Sequence, residues 1–235
     1  PVEFSEVVTT TRAIRRYRSD PIPEEDLSRI LFAASRAPSG SNRQPFRFLL
    51  LRDGPTAVRA RALLGETFRS MWAQKATADR YGEGSGADSD SPKARMAAAM
   101  GHFVEHAEET PVFIVACLRL RHGGHLVEGA SIFPACQNLL LAARELGYGG
   151  VLTTWHLPAA QELAEILGLP DDVAIPAVIP LGRPQGRHGP VRRRPLAELV
   201  FDDEWGQTAA WVSEPPGTRH IGGATAAEGG TAEEA

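Results

Sequence analysis

Segments with strand character and segments with helix character alternate along residues 1 to 205 of this 235-residue chain, and no internal repeat relates them. That order restricts the fold to an α/β or α+β domain, since alternating elements must share one layered core. Phe4, Val7 and Val8 lie at helical spacing and predict a short helix over residues 4–11. Pro23 followed by Glu24, Glu25 and Asp26 marks a helix start, and Leu27, Ile30, Leu31 and Ala34 form its apolar stripe as far as about Arg36. Strands are expected at 46–52, 111–118, 150–153 and 175–182. Further helices are expected at 56–68, 94–108, 128–146 and 158–167, the last two ending at Gly147 and Gly168. Pro176 and Pro180 predict that the last strand lies at an edge or is strongly distorted.

Composition narrows the class. Hydrophobic residues make up 43% of the chain and charged residues 23%, enough apolar matter for a real core. Residues 81–91 are polar and predict an exposed loop. The expected organisation is one domain over residues 1–211, with a lid-like region at about 68–105, and a flexible acidic Gly/Ala-rich tail at 212–235. The net charge of −4 excludes a global basic field for nucleic acid. Of the 25 basic residues only Lys75 and Lys93 are lysine, so local positive patches are guanidinium forks suited to phosphate. Cys117 and Cys136 sit in apolar surroundings and are expected to be core thiols. The apolar run Val112–Leu118 is too short to span a bilayer, and residues 1–6 lack the pattern of a signal peptide. A cytoplasmic protein without membrane or nucleic-acid partners is expected.

Several common site patterns are absent. There is no Walker phosphate loop, Gly147–Gly150 lacks the third glycine of the dinucleotide fingerprint, and Gly129–Phe133 fails the nucleophile elbow at its last position. His102-Phe-Val-Glu-His106 matches a five-residue zinc signature, but in one chain that match is weak. A solvated helix face explains it better, and no metal site is assigned; His122 and His125 in a Gly-rich turn are read the same way. Two arginine clusters say more. Arg12, Arg15, Arg16 and Arg18 crowd one end of the chain, and Arg187, Arg192, Arg193 and Arg194 crowd the other. If they converge they make a phosphate clamp. Between them, residues 37–45 hold Ser39, Asn42 and Gln44, neutral groups able to meet the edge of a polar heterocycle.

Five stretches then occur in order: Thr11–Tyr17, Ala37–Phe46, Gly147–Thr154, Gly182–Pro184 and Arg193–Leu196. Together they resemble the FMN-dependent nitroreductase superfamily over roughly residues 4 to 202. The resemblance implies an α+β fold with a central mixed, mostly antiparallel sheet flanked by helices, in an intertwined homodimer with FMN at the interface. It implies flavin contacts from Arg12, Arg15 and Arg16, and phosphate contacts from Arg193 with Arg192 as a possible second. It assigns Pro38, Ser39, Gly40, Asn42 and Gln44 to a loop reaching the partner's flavin, and Leu152, Thr153 and Thr154 to the segment beside the ring. No catalytic side chain is implied, because the cofactor carries the hydride chemistry.

The implied activity is NAD(P)H oxidation through FMN with a small acceptor such as a nitroaromatic, a quinone or an enone. Three other readings stay open: a reductive dehalogenase, a flavin-fragmenting enzyme, and a non-catalytic flavin or deazaflavin binder. For the dehalogenase, Lys75, Arg80 and Glu83 are the groups available to grip a zwitterionic amino acid. Thr11 and Ala13 stand where many members carry arginine and serine. The polar flavin contacts that some members draw from the helix before the Pro111 strand have no placed counterpart; residues 102–109 offer histidines and acids instead.

Overall fold

The structure, a computed structural model, describes residues 2–120 and 125–221, leaving aside the side chains of 125–127. His122 and residues 222–235 of the expected tail therefore lie outside the described residues, as does the His125 side chain.

Four strands form one sheet: β1 (Phe46–Leu51), β2 (Val112–Arg119), β3 (Gly149–Gly150) and β4 (Val173–Gly182). Their order is β1-β2-β4-β3, and each adjacent pair is antiparallel. The helices are α1 (Phe4–Thr10), α2 (Glu24–Ser35), α3 (Pro55–Ala78), α4 (Pro92–Glu105), α5 (His125–Glu145) and α6 (Ala160–Leu167). This is an α+β layering, with the sheet covered on both faces.

The run Val112–Leu118 shows why. Alternate residues of a strand point to opposite faces. Val112, Ile114, Ala116 and Leu118 pack with Ile30, Ala34, Ile132 and Leu139 of α2 and α5. Phe113, Val115 and Cys117 pack with Leu64 and Phe68 of α3, Phe103 of α4 and Leu163 of α6. A strand buried on both faces reads as an unbroken apolar run. Cys117 and Cys136 are buried free thiols, and burial pushes them up to about 11 and about 12.

Two sequence expectations need correction. The helix expected over 56–68 continues to Ala78, because Met71, Ala73, Gln74 and Lys75 are good helix formers and no breaker intervenes. The proline-bearing strand is also not an edge: β4 pairs with β2 on one side and β3 on the other. Val178 exchanges both backbone hydrogen bonds with Thr153, at 2.9 and 3.0 Å. Pro180 therefore turns its missing N–H to the same side as Val178, where β3 spans only two residues. Pro176 lies with Ile175 where the pairing with β2 shifts register between Ala116 and Leu118, a local distortion of the kind the prolines predict. Gly147 and Gly168, with φ of 80° and 64°, end their helices as expected.

The chain divides into two compact units, Pro1–His188 and one beginning at Gly189. The boundary expected near residue 211 falls inside the second unit. In that unit Ile221 donates to the Arg193 carbonyl at 2.9 Å, and His220 lies 3.3 Å from Glu214.

Candidate functional site

The segment after α1 is extended and laid against the sheet by its backbone. The Ile14 N–H donates to Gly150 O at 3.0 Å, Arg18 N–H to Arg183 O at 2.8 Å, and Gln185 N–H to Arg16 O at 3.1 Å. Gly149 makes this approach possible, since a Cβ there would sit 2.5 Å from the Ile14 side chain. Successive side chains of an extended segment alternate in direction. Arg15 therefore leaves the segment on the side opposite Ile14 and Arg16.

Arg15 faces an open cavity of about 310 Å³. Leu152, Thr153 and Thr154 form the adjoining wall, continued by Trp155. Opposite them stand Trp72 and Lys75 of α3, Tyr81, and Met96 and Met100 of α4. Trp72 and Trp155 have ring planes 21° apart with centroids 6.5 Å apart, and Tyr81 lies 5.1 Å from Trp72. The Arg15 guanidinium is half-buried, and burial lowers its pKa, with Tyr17 and Tyr81 acting in the opposite direction. An arginine stays charged nonetheless. The cavity thus offers one partly desolvated cation, two hydroxyls and flat apolar walls.

Behind the wall, His156 anchors the Leu152–Thr154 segment. It is fully buried, and its Nε2 lies 2.8 Å from Ile175 O of β4. Burial lowers its pKa, partly opposed by the hydrogen bond to the Ile175 backbone. The ring is therefore neutral at neutral pH, with Nε2 as the donor.

A second cavity of about 320 Å³ shares Arg15 and Phe103 with the first. Tyr17, His102, His106, Glu109 and Thr110 line it. The Thr110 hydroxyl is buried without a hydrogen-bond partner. His102 and His106 have centroids 4.5 Å apart, and His106 Nδ1 lies 2.9 Å from Glu109. Burial, then His106 and Arg16, lower the His102 pKa. No cluster of three or more His, Cys, Asp or Glu able to hold a metal occurs among the described residues.

The other sequence-derived candidates are placed as follows. Arg12 and Arg16 are exposed; the Arg16 guanidinium donates to Ala98 O at 3.4 Å. Of the first arginine cluster, only Arg15 lines the 310 Å³ cavity. Pro38, Gly40, Asn42 and Gln44 are exposed, and Ser39 is half-buried. Ser41, Asn42 and Gln44 have φ of 53°, 52° and 48°, a left-handed geometry that non-glycine residues adopt at a cost of about 1–2 kcal/mol each. Ser39 Oγ accepts from Gln44 N–H at 2.9 Å, and Gln44 Nε2 donates to Asn42 Oδ1 at 3.1 Å. Gln44 lines a separate cavity of about 560 Å³ with Arg43, Arg47 and Arg119. One chain therefore does not bring this loop to Arg15 and Leu152–Thr154. Arg192 and Arg193 are exposed in the second unit, where the Arg193 guanidinium donates to Arg192 O at 2.9 Å.

Arg183 serves the fold. Its guanidinium lies over the Tyr148 ring, 4.5 Å from the centroid, and Tyr148 donates to Asp26 at 2.6 Å. Burial and that bond to Asp26 push Tyr148 up to about 12. Sequence reasoning missed Trp155 and Val151 as cavity residues; both directly flank Leu152–Thr154, so a wider window would have found them. Phe68, read as a lid residue, is fully buried in the core.

The nitroreductase family model matches residues 8–183. An NADH dehydrogenase of Thermus thermophilus is 32% identical over 192 residues, covering 81% of this chain and 91% of its own. Iodotyrosine deiodinase 1 of Rattus norvegicus is 26% identical over 208 residues, covering 84% of this chain and 68% of its own. Among solved structures, a nitroreductase from Desulfovibrio desulfuricans in complex with FMN aligns at a TM-score of 0.63. It is 28% identical and covers 87% of this chain and 99% of its own. Among the described residues no helix is long and apolar enough to cross a membrane.

Proposed function

The chain belongs to the nitroreductase family, and from that premise we propose that it oxidises NAD(P)H through bound FMN and reduces a small organic acceptor. The overall change is NAD(P)H plus acceptor plus a proton giving NAD(P)⁺ and the reduced acceptor. Arg15 and Leu152–Thr154 would hold FMN, which when bound would supply the two-electron hydride chemistry.

One observation carries the reading: Arg15 and Leu152–Thr154, far apart in sequence, meet on the wall of a single cavity. The donor set fits a flavin ring. Flat apolar walls suit its faces, and a cation with hydroxyls suits its polar edge. Arg15 is placed to stabilise negative charge that develops on the pyrimidine side, because a fixed guanidinium needs no reorganisation when the charge appears. Thr153 and Thr154 orient the ring; the Thr153 hydroxyl also accepts from Trp155 N–H at 3.2 Å. Trp72, Tyr81, Met96 and Met100 close the opposite side and act as a lid that keeps water from the reacting face.

The functional unit is a homodimer. The Ser39–Gln44 loop lines a different cavity from Arg15, so its expected role is fulfilled by reaching the FMN of a second copy. Arg12 is assigned to the phosphate end. The purified protein is expected to be yellow, to lose its absorbance near 450 nm on anaerobic addition of NADH or NADPH, and to run at twice its 25.3 kDa chain mass. A colourless protein that takes up no added FMN would overturn the reading. Flavin that neither nucleotide bleaches would favour a binding protein instead.

A further inference from the structure

We propose that the acceptor side of this cavity selects a flat aromatic anion, with Lys75 recognising its negative group. This rests on the FMN reading and narrows it. Trp72 and Trp155, stacked with centroids 6.5 Å apart, and Tyr81 against Trp72 present the cavity with aromatic surface on which a planar ring can lie. Met96 and Met100 add adaptable apolar surface beside them.

Charge decides which ring. Among the described residues two charged side chains line the cavity, Arg15 from the sheet side and Lys75 from α3, and both are cations. No carboxylate among the described residues lines it. Arg15 is committed to the cofactor, which leaves Lys75 for the second substrate. Lys75 Nζ donates to Asp79 Oδ2 at 2.5 Å, one helical turn on, and Asp79 is not part of the cavity wall. Asp79 thereby steadies the ammonium at the mouth, where an arriving carboxylate or phenolate can share it.

A zwitterionic amino acid would need a carboxylate as well, to replace the water lost by its ammonium. The side chains available for such a grip do not supply it. Arg80 and Glu83 lie 3.9 Å apart, are 75% and 69% exposed, and neither lines the cavity. The geometry therefore favours a monoanionic ring over a neutral ring, and a neutral ring over a zwitterion.

The test is equilibrium binding to the oxidised protein as purified, without NAD(P)H, read by quenching of tryptophan fluorescence. The probes are 4-nitrobenzoate, 4-nitrobenzyl alcohol and 4-nitrophenylalanine. We expect the anion to bind about fivefold more tightly than the alcohol, the upper range for one partly exposed ion pair. The amino acid should bind most weakly. Lys75→Met should abolish the preference for the anion, and Asp79→Asn should increase it. Equal affinity for anion and alcohol in the wild type overturns the proposal, and so does a preference that survives Lys75→Met. Flavin released from the same samples separates the two ideas. A yellow protein without charge preference sinks only this inference, whereas a colourless one that takes up no FMN sinks both.

Discussion

The two walls of the cavity are held by different kinds of contact. The sheet wall is tied by backbone hydrogen bonds: Ile14 to Gly150 at 3.0 Å, Thr153 with Val178 in both directions, and Arg16 and Arg18 to the 183–185 segment. Behind it His156 is buried and bonded to Ile175. The helical wall faces the cavity through side chains alone, and one of them, Met96, is 45% exposed. Within the connection between its two helices, the turn Gly84–Ala87 has no buried residue. Backbone ladders hold atoms within narrow limits, while half-exposed side chains keep rotamer freedom. The groups assigned to the cofactor thus sit on the stiff wall, and those assigned to the acceptor, Trp155 apart, sit on the compliant one.

The largest expected effect comes from breaking the stiff wall at its closest approach. Gly149→Val places a Cβ 2.5 Å from Ile14 and forces the 12–18 segment off the sheet. Overpacking of this kind costs about 1–3 kcal/mol, a fall in Tm of about 2–12 °C for a domain of this size. Bound flavin should be lost at the same time, and calorimetry with a flavin assay checks both. Met96→Ala on the compliant wall should leave flavin content unchanged. Flavin loss of equal size in the two variants would erase the distinction.

Next in size is Arg15→Met. Removing a charge-assisted contact worth about 1.5–3 kcal/mol should weaken FMN binding by about 10–160-fold, measured by titrating apo-protein with FMN.

Acid sharpens the comparison between the walls. The folded-state pKa of His156 lies below its ordinary value of 6.5, because burial disfavours the charged ring. Below that pH the unfolded chain takes up a proton that the folded chain refuses. Its contribution to stability is therefore complete above about pH 6.5 and is lost as pH falls, at no more than about 1.4 kcal/mol per pH unit. Thermal melts at pH 7.5 and 5.5 should show the drop, and His156→Gln should flatten it. His102, on the helical side, is lowered in the same direction. It stands closer to solvent, so His102→Gln should change the slope less.

The smallest effect should come from Trp72→Leu. Loss of aromatic contacts worth about 0.5–1.5 kcal/mol should raise the acceptor KM about 2–12-fold. FMN content and the rate of flavin bleaching by NAD(P)H should hold steady. A variant that instead loses flavin would move Trp72 to the cofactor wall.

Much of this was legible in the chain. Helix and strand positions follow from apolar periodicity and from punctuation by Gly and Pro, which act locally. The ordered stretches around Arg15, Ser39 and Leu152 identified the family because each keeps its spacing. The length of α3 was harder to read, since its second half is held by the propensity of ordinary residues and not by a strong apolar stripe. The two prolines of β4 suggested an edge, because a strand's neighbours are not written in its own sequence. What permits an interior position is the side of β4 that the missing N–H of Pro180 faces, together with a register shift at Pro176.

Local pattern was enough to establish an α/β or α+β domain, a strand in the run Pro111–Leu118, and a chemistry that wants guanidinium groups. Pattern could not select among Arg12, Arg15, Arg16 and Arg18, which look alike in sequence. The fold made that choice through the docking of Ile14 on Gly149 and Gly150, which sets the register and so the direction of every second side chain. The same holds for the acceptor wall: Trp72, Lys75 and Trp155 carry no shared motif, and only packing brings them to one cavity. Backbone conformation is decided by neighbours in the chain, whereas a site assembled from distant segments is decided by long-range contacts that no short window contains.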